Sequence, residues 1–233
     1  MDRSEDIAEG FLRLKGFKSI RFEPDGNIPP DFLVDDRIAV EVRRLNQNEP
    51  GALSPKGLEE VQIPLVMRIQ RLLNDHSKTS TRSWWVAVRF SRPVVRWSTL
   101  RPSIKAALTD ILNGTLSERS EHEVAPRFRM EFLPAPDEKE WAFHLGAFSD
   151  HDSGGWVLGE LERNLRLCIA EKEAKVARYR HRYPEWWLVL IDQIAYGLSR
   201  HDQEEFRKLF SFEHQWDRIY LVGALDPARS FQV

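Results

Sequence analysis

The sequence predicts an α/β fold, a mixed sheet flanked by helices on both faces, and three observations carry that prediction. The segment 29–46, PPDFLVDDRIAVEVRRLN, alternates about an acidic turn as a β-hairpin does. The run 186–191, WWLVLI, is apolar throughout, as a strand covered on both sides must be. Around these strands lie long stretches whose apolar residues recur at helical spacing, and strands alternating with such helices argue for a layered sheet.

In chain order, Ser4 is the expected cap of a first helix reaching residue 14, with Ile7, Phe11 and Leu14 on one stripe and Gly16 closing it. Residues 17–23 read as a strand and 24–27 as a turn. The hairpin strands are 31–34 and 38–44, turned by Asp35, Asp36 and Arg37, whose Asp side chains can bond the nearby backbone. A three-residue turn pairs Val34 with Ile38 and sets Asp31 opposite Glu41. Because side chains alternate along a strand, Ala39, Glu41 and Arg43 share one face and Ile38, Val40 and Val42 the other. The Pro- and Gly-containing loop 48–55 is placed to lie over the charged face.

A second helix over 56–74 carries Leu58, Val61, Leu65, Ile69 and Leu72, with Pro64 expected to kink or split it. Residues 83–90 read as a buried strand and 99–112 as a third helix. The polar stretch 116–126 reads as a loop, and 128–133 with 141–148 as two strands joined by PAPDEKE. A long helix over 157–179 has Leu161, Leu165, Cys168, Ile169 and Val176 on one side. Arg163, Arg166, Lys172, Lys175 and Arg178 lie on the other, the side that ordinarily faces water. Pro184, the strand 186–191, a helix over 203–210 and a strand over 218–222 complete the chain. The whole, 1–233, reads as a single domain with a lobe inserted within 76–156.

Composition narrows the function classes. A net charge of −2 over 233 residues gives no global signature of a nucleic-acid binder, so any such surface is local. One cysteine, Cys168, excludes both an internal disulfide framework and a cysteine-based zinc site. The histidines, among them His144, His151, His201 and His214, form no ligand-spaced pair on one helix. There is no nucleophile elbow and no phosphate-cradling glycine loop. The charged start, MDRSEDIAEG, is unlike a signal peptide and no apolar run approaches spanning length, which leads to the expectation of a cytoplasmic protein without membrane contact.

The hairpin is where chemistry concentrates. Two carboxylates and a guanidinium among apolar strands cost free energy unless paired with each other or with a cation. Asp31 and Glu41 on a rigid frame suit Mg²⁺ (or Mn²⁺), which takes one or two carboxylates plus water and phosphate oxygens. The same residues also suit a plain ion cluster. Arg82, Arg89, Arg92, Arg96 and Arg101, interleaved with Trp84, Trp85 and Trp97, could follow a phosphate backbone while rings stack on bases, or the tryptophans could fill a core.

PPD, then EVR about ten residues on, with an acidic helix before it and another helix after, resembles the PD-(D/E)XK nuclease superfamily. The resemblance implies a restriction-endonuclease-like fold and metal-dependent hydrolysis of phosphodiesters, of DNA in the first instance. It places metal at Asp31 and Glu41, with the Val42 carbonyl a further ligand and Glu9 or Glu5 the helical acid. Arg43 stands where the family has lysine. Arginine stays protonated and cannot act as a base, but it can clamp a phosphate through two hydrogen bonds. Lys175 and Lys172 are the candidates to supply the missing amine. Gln47, Arg44 and Lys172 are candidate nucleic-acid contacts, and cutting both strands of a duplex implies a homodimer or two encounters. The departure at Arg43 equally supports an inactive module of this type that binds nucleic acid or a protein partner.

Overall fold

The computed structural model describes residues 1–49, 57–76, 82–114, 119–136 and 141–233. In chain order the elements are α1 (Arg3–Leu14), β1 (Ile20–Phe22), β2 (Phe32–Val34), β3 (Ile38–Leu45), α2 (Glu59–His76), β4 (Ser83–Phe90), α3 (Trp97–Asn113) and β5 (Ser120–Ala125). There follow β6 (Phe128–Ala135), β7 (Phe143–Asp150), α4 (Val157–Val176), β8 (Glu185–Asp192), α5 (Arg200–Leu209), β9 (Arg218–Gly223) and β10 (Ser230–Gln232). The architecture is α/β with two mixed sheets. The chain divides into two compact units, Met1–Pro55 with Gly154–Val233, and Lys56–Ser153. The second unit therefore begins ahead of α2 rather than after it, as an insertion at 76–156 would have had it. No described helix is long and apolar enough to cross a membrane.

The first unit is built on a six-stranded sheet in the order β1-β2-β3-β8-β9-β10. β1, β2 and β3 form an antiparallel meander, β3, β8 and β9 run parallel, and β10 returns antiparallel. Both faces are covered. Ile38, Val40 and Val42 of β3 with Trp187, Val189 and Ile191 of β8 pack under Ala8, Phe11 and Leu12 of α1. Ala39 and Leu45 with Trp186, Leu188 and Leu190 pack under Leu161, Leu165 and Cys168 of α4 and Phe206 of α5. This two-sided burial is why β8 is apolar at every interior position. α1 is capped by Asp2, not Ser4: the Asp2 carboxylate accepts from the Ser4 and Glu5 amides, and Glu5 reaches back to the Asp2 amide as a capping box. β1 is shorter than 17–23, ending where Glu23 turns to positive φ.

The second unit holds a four-stranded sheet in the order β5-β6-β4-β7. β4 thus separates β6 from β7, pairing antiparallel with the first and parallel with the second, so 128–133 and 141–148 are not paired strands. Residues 120–125, expected as loop, are β5 on β6, while 116–118, the tip 137–140 and the loop 50–55 lie outside the described residues. One face of this sheet carries Trp84, Val86, Val88, Phe90, Met130 and Phe132 against α2 and α3. Trp85, next along β4, is exposed, so β4 is a one-sided strand rather than a buried one. α2 continues through Pro64 as one helix. The carbonyl that proline leaves unbonded belongs to exposed Glu60 in the first turn, where water can satisfy it.

Candidate functional site

The register of the hairpin puts the acids together. Val34 pairs with Ile38 and Phe32 with Val40, so the next position outward sets Asp31 against Glu41. β2 ends at Phe32, and beyond it the Asp31 side chain takes over from the backbone: its Oδ2 accepts the Val42 amide at 2.7 Å. That bond fixes the carboxylate beside β3. Glu41 shares the face of Ala39, which α4 covers, and its side chain has no exposure at all.

A buried carboxylate must be paired, and α4 supplies the partners. Leu161, Leu165, Cys168, Lys172 and Val176 all lie on the buried side of α4, and Lys172 is reached by the same i, i+4 steps as its apolar neighbours. Lys172 Nζ donates to Glu41 Oε2 at 2.7 Å and stands 3.7 Å from Asp31 Oδ2. Lys175, nearly one turn on, donates to the same Glu41 oxygen at 3.0 Å and stands 3.8 Å from Asp31 Oδ1. Lys172 is buried, at variance with its expected place on the wet side of the helix, whereas the Lys175 side chain keeps 46% of its exposure. Burial pulls the Lys175 pKa down, but Glu41 and Asp31, through charge and the hydrogen bond to Glu41, outweigh it and raise it above the ordinary lysine value. Lys175 is therefore a cation at neutral pH, a donor and not a base.

Glu41 Oε1, the oxygen the lysines leave, is buried without a hydrogen-bond partner. The cluster's other members, Asp31 and Lys172, line a cleft of about 380 Å³ together with Asp2, Ser4, Glu5, Val42, Arg43 and Arg44. Among the described residues no group of three or more His, Cys, Asp or Glu side chains forms a ready-made metal site. A cation there would lean on the two carboxylates and on main-chain, water or substrate oxygens, a donor set that suits Mg²⁺.

The other expected site residues have different employment. Arg43 does not meet Asp31 or Glu41; its Nε and Nη2 donate to Glu171 of α4 at 3.2 and 3.1 Å and its Nη1 to the Arg44 carbonyl. Glu9 is held by Arg13 one turn along α1 and is absent from the cleft wall, which Glu5 occupies instead. Gln47 exchanges two 3.2 Å hydrogen bonds with the Gly154 main chain. Arg44 is half-buried in the cleft wall. Asp2 and Glu171 were missed. Asp2 carries a legible signal, an acid three residues ahead of a glutamate at a helix start. The Arg43–Glu171 pair spans 128 positions and has no local signal.

No family model matches the chain, and neither a curated protein nor a solved structure matches it.

Proposed function

We propose that the first unit is a metal-dependent nuclease that hydrolyses phosphodiesters of nucleic acid, DNA in the first instance, in the manner of the PD-(D/E)XK superfamily. The observation that carries this reading is the pair of α4 amines within 2.7–3.8 Å of Asp31 and Glu41 oxygens. Two acids from adjacent strands beside a protonated amine, open to a polar cleft, are what phosphodiester cleavage asks for. The lysine that EVR lacks comes from α4.

The residues fit a hard divalent cation, since Glu41 Oε1 is buried without a partner and the neighbouring Asp31 carboxylate lines the cleft. Asp31 and Glu41 would hold the Mg²⁺, and the chemistry it would supply is Lewis-acid polarisation of the phosphoryl group and a lowered pKa for water. The protein groups have separate tasks. Asp31, locked by the Val42 amide, orients the attacking water. Lys175, charged and half exposed, donates to a non-bridging phosphate oxygen as negative charge develops there. Lys172, buried, holds Glu41 in place. Arg43, neutralised by Glu171, steadies α4 against β3 rather than clamping phosphate.

One observation favours a second reading, a module that binds without cutting. Asp31 and Glu41 face Lys172 and Lys175, so the cluster is charge-balanced by its own side chains. Cleavage of plasmid and single-stranded DNA in Mg²⁺ or Mn²⁺, by the wild type and by Asp31→Asn and Glu41→Gln, decides between them. Metal-dependent cutting lost in both variants supports the nuclease. Cutting that survives both removes the mechanism. No Mn²⁺ binding by calorimetry, with none lost in Asp31→Asn, leaves the binding module.

A further inference from the structure

The second unit carries a groove of its own. The α2 positions Glu60, Pro64, Arg68, Arg71 and Asp75, spaced by three and four, form one ridge of that helix. Trp97 and Arg101 are one turn apart at the start of α3. Two clefts lie between them. One, of about 280 Å³, is mostly apolar, walled by Val61, Pro64, Leu65, Val94 and Val95 with one acid, Glu60. The other, of about 300 Å³, brings three arginines, Arg68, Arg71 and Arg101, together with one acid, Asp75, beside Leu72 and Trp97. Trp97 and Arg68 line both, with the Arg68 guanidinium 5.9 Å from the indole centroid, so the two clefts are halves of a single groove.

Several arginines on other helices are tied to acids one turn away: Arg13 to Glu9 on α1, and Arg163 to Glu160 and Arg166 to Glu162 on α4. Arg68, Arg71 and Arg101 have no carboxylate partner among the described residues, and even Asp75, one turn beyond Arg71, closes no ion pair with it. Three unneutralised guanidiniums against two acids, Glu60 and Asp75, leave this groove net positive in a chain whose net charge is −2. The first turn of α3 has no side-chain cap, which adds the positive end of a 17-residue helix behind Trp97.

The geometry points to this groove as a binding site for single-stranded nucleic acid, with a base lodged in the apolar half against Trp97 and the adjoining phosphates held by Arg68, Arg71 and Arg101. An apolar slot joined to a cationic one matches the alternation of a nucleotide, an apolar flat ring beside an anion. Base–aromatic stacking needs no particular base, so the site is sequence-tolerant. A duplex hides its base faces and has nothing to offer the apolar half. An acidic peptide would use the arginines and leave the slot empty. The site deepens the nuclease reading by naming residues of the second unit that hold substrate, but it does not need the carboxylates of the first unit to cut.

The test is fluorescence anisotropy with the intact chain and a labelled single strand of about 12 nucleotides, in chelator so that nothing is cleaved, across a salt series. Arg71→Ala/Arg101→Ala is expected to make the slope of log affinity against log salt shallower by about 1.4, two single-strand phosphate contacts' worth. Trp97→Leu is expected to weaken binding at least roughly fivefold while Trp97→Phe restores most of it. Asp31→Asn is expected to bind as the wild type does, so a failed nuclease reading leaves this result standing. An unchanged affinity and salt slope in Arg71→Ala/Arg101→Ala, whose side chains are exposed and outside the core, overturns the site. Equal binding of duplex, or equal competition by polyglutamate, overturns the single-strand assignment.

Discussion

Two strongly charged clusters, one buried in each unit, are built to opposite ends. In the second unit Arg92, which is nearly buried, donates from Nη1 to both oxygens of fully buried Asp150 at 2.7 and 2.6 Å and from Nη2 to the Leu58 carbonyl, while the Asp152 amide also bonds Asp150. Every oxygen of that carboxylate is used. In the first unit both lysines converge on one oxygen of Glu41, the other is left without a partner, and the cluster borders a cleft. A buried charge alone is therefore no mark of a site. The mark is a charged cluster whose members line open space, as Asp31 and Lys172 do.

That contrast breaks first at the acids. Asp31→Asn or Glu41→Gln should lower metal-dependent cleavage about a thousandfold, since a cation's stabilisation of phosphoryl charge is worth several kcal/mol; single-turnover assays measure it. Asp150→Ala should do the reverse, costing the second unit roughly 3–5 kcal/mol by stranding a buried guanidinium while cleavage per folded molecule stays. Urea unfolding followed alongside activity checks this, and an Asp150→Ala protein of wild-type stability would undo the comparison. Lys175→Met should cost about a hundredfold in cleavage, the scale of losing one donor to a developing charge, with little change in unfolding midpoint. If Lys172→Met and Lys175→Met lost activity equally without loss of stability, the division between holding and reacting amines would fall.

Alkali gives a smaller effect. Burial, chiefly, pushes the Cys168 thiol from 9.0 up to about 11. A group that holds its proton more tightly when folded contributes stability that is complete below its unfolded pKa and is lost as pH rises toward the folded one. Stability should therefore hold to about pH 9 and fall by up to roughly 2–3 kcal/mol by pH 11. Lys175, also raised, adds loss in the same direction above pH 10.5. Melts of Cys168→Ala across that range should show a shallower decline than wild type. The smallest effect is at the helix cap: Asp2→Ala should lower stability by about 1 kcal/mol.

The parts of the fold legible in advance were those set by short-range rules. The acidic turn at 35–37 fixed the hairpin register, and alternation from there placed Glu41 with Ala39 and away from Val40. An unbroken apolar run announced β8. Lys172 and Lys175 could be nominated because α4 was visible as a helix, but both were expected on its wet side, although Lys172 lies four residues from both Cys168 and Val176 and is buried with them. The errors were of another sort. Motif position gave Arg43 a phosphate to clamp and could not show that its guanidinium pairs with Glu171, 128 residues away. The order β5-β6-β4-β7 was missed because neighbours in sequence were assumed to be neighbours in the sheet.

The sequence by itself determined which residues turn, cap and alternate, because those follow from backbone sterics and from side-chain spacing within a few positions. Only the tertiary structure decided that α4 lies over β3, that two lysines meet one glutamate, and that Arg43 is taken by Glu171. Those outcomes depend on which faces are buried together, and a charge brought into a dry interface must accept whatever counter-charge the packing delivers.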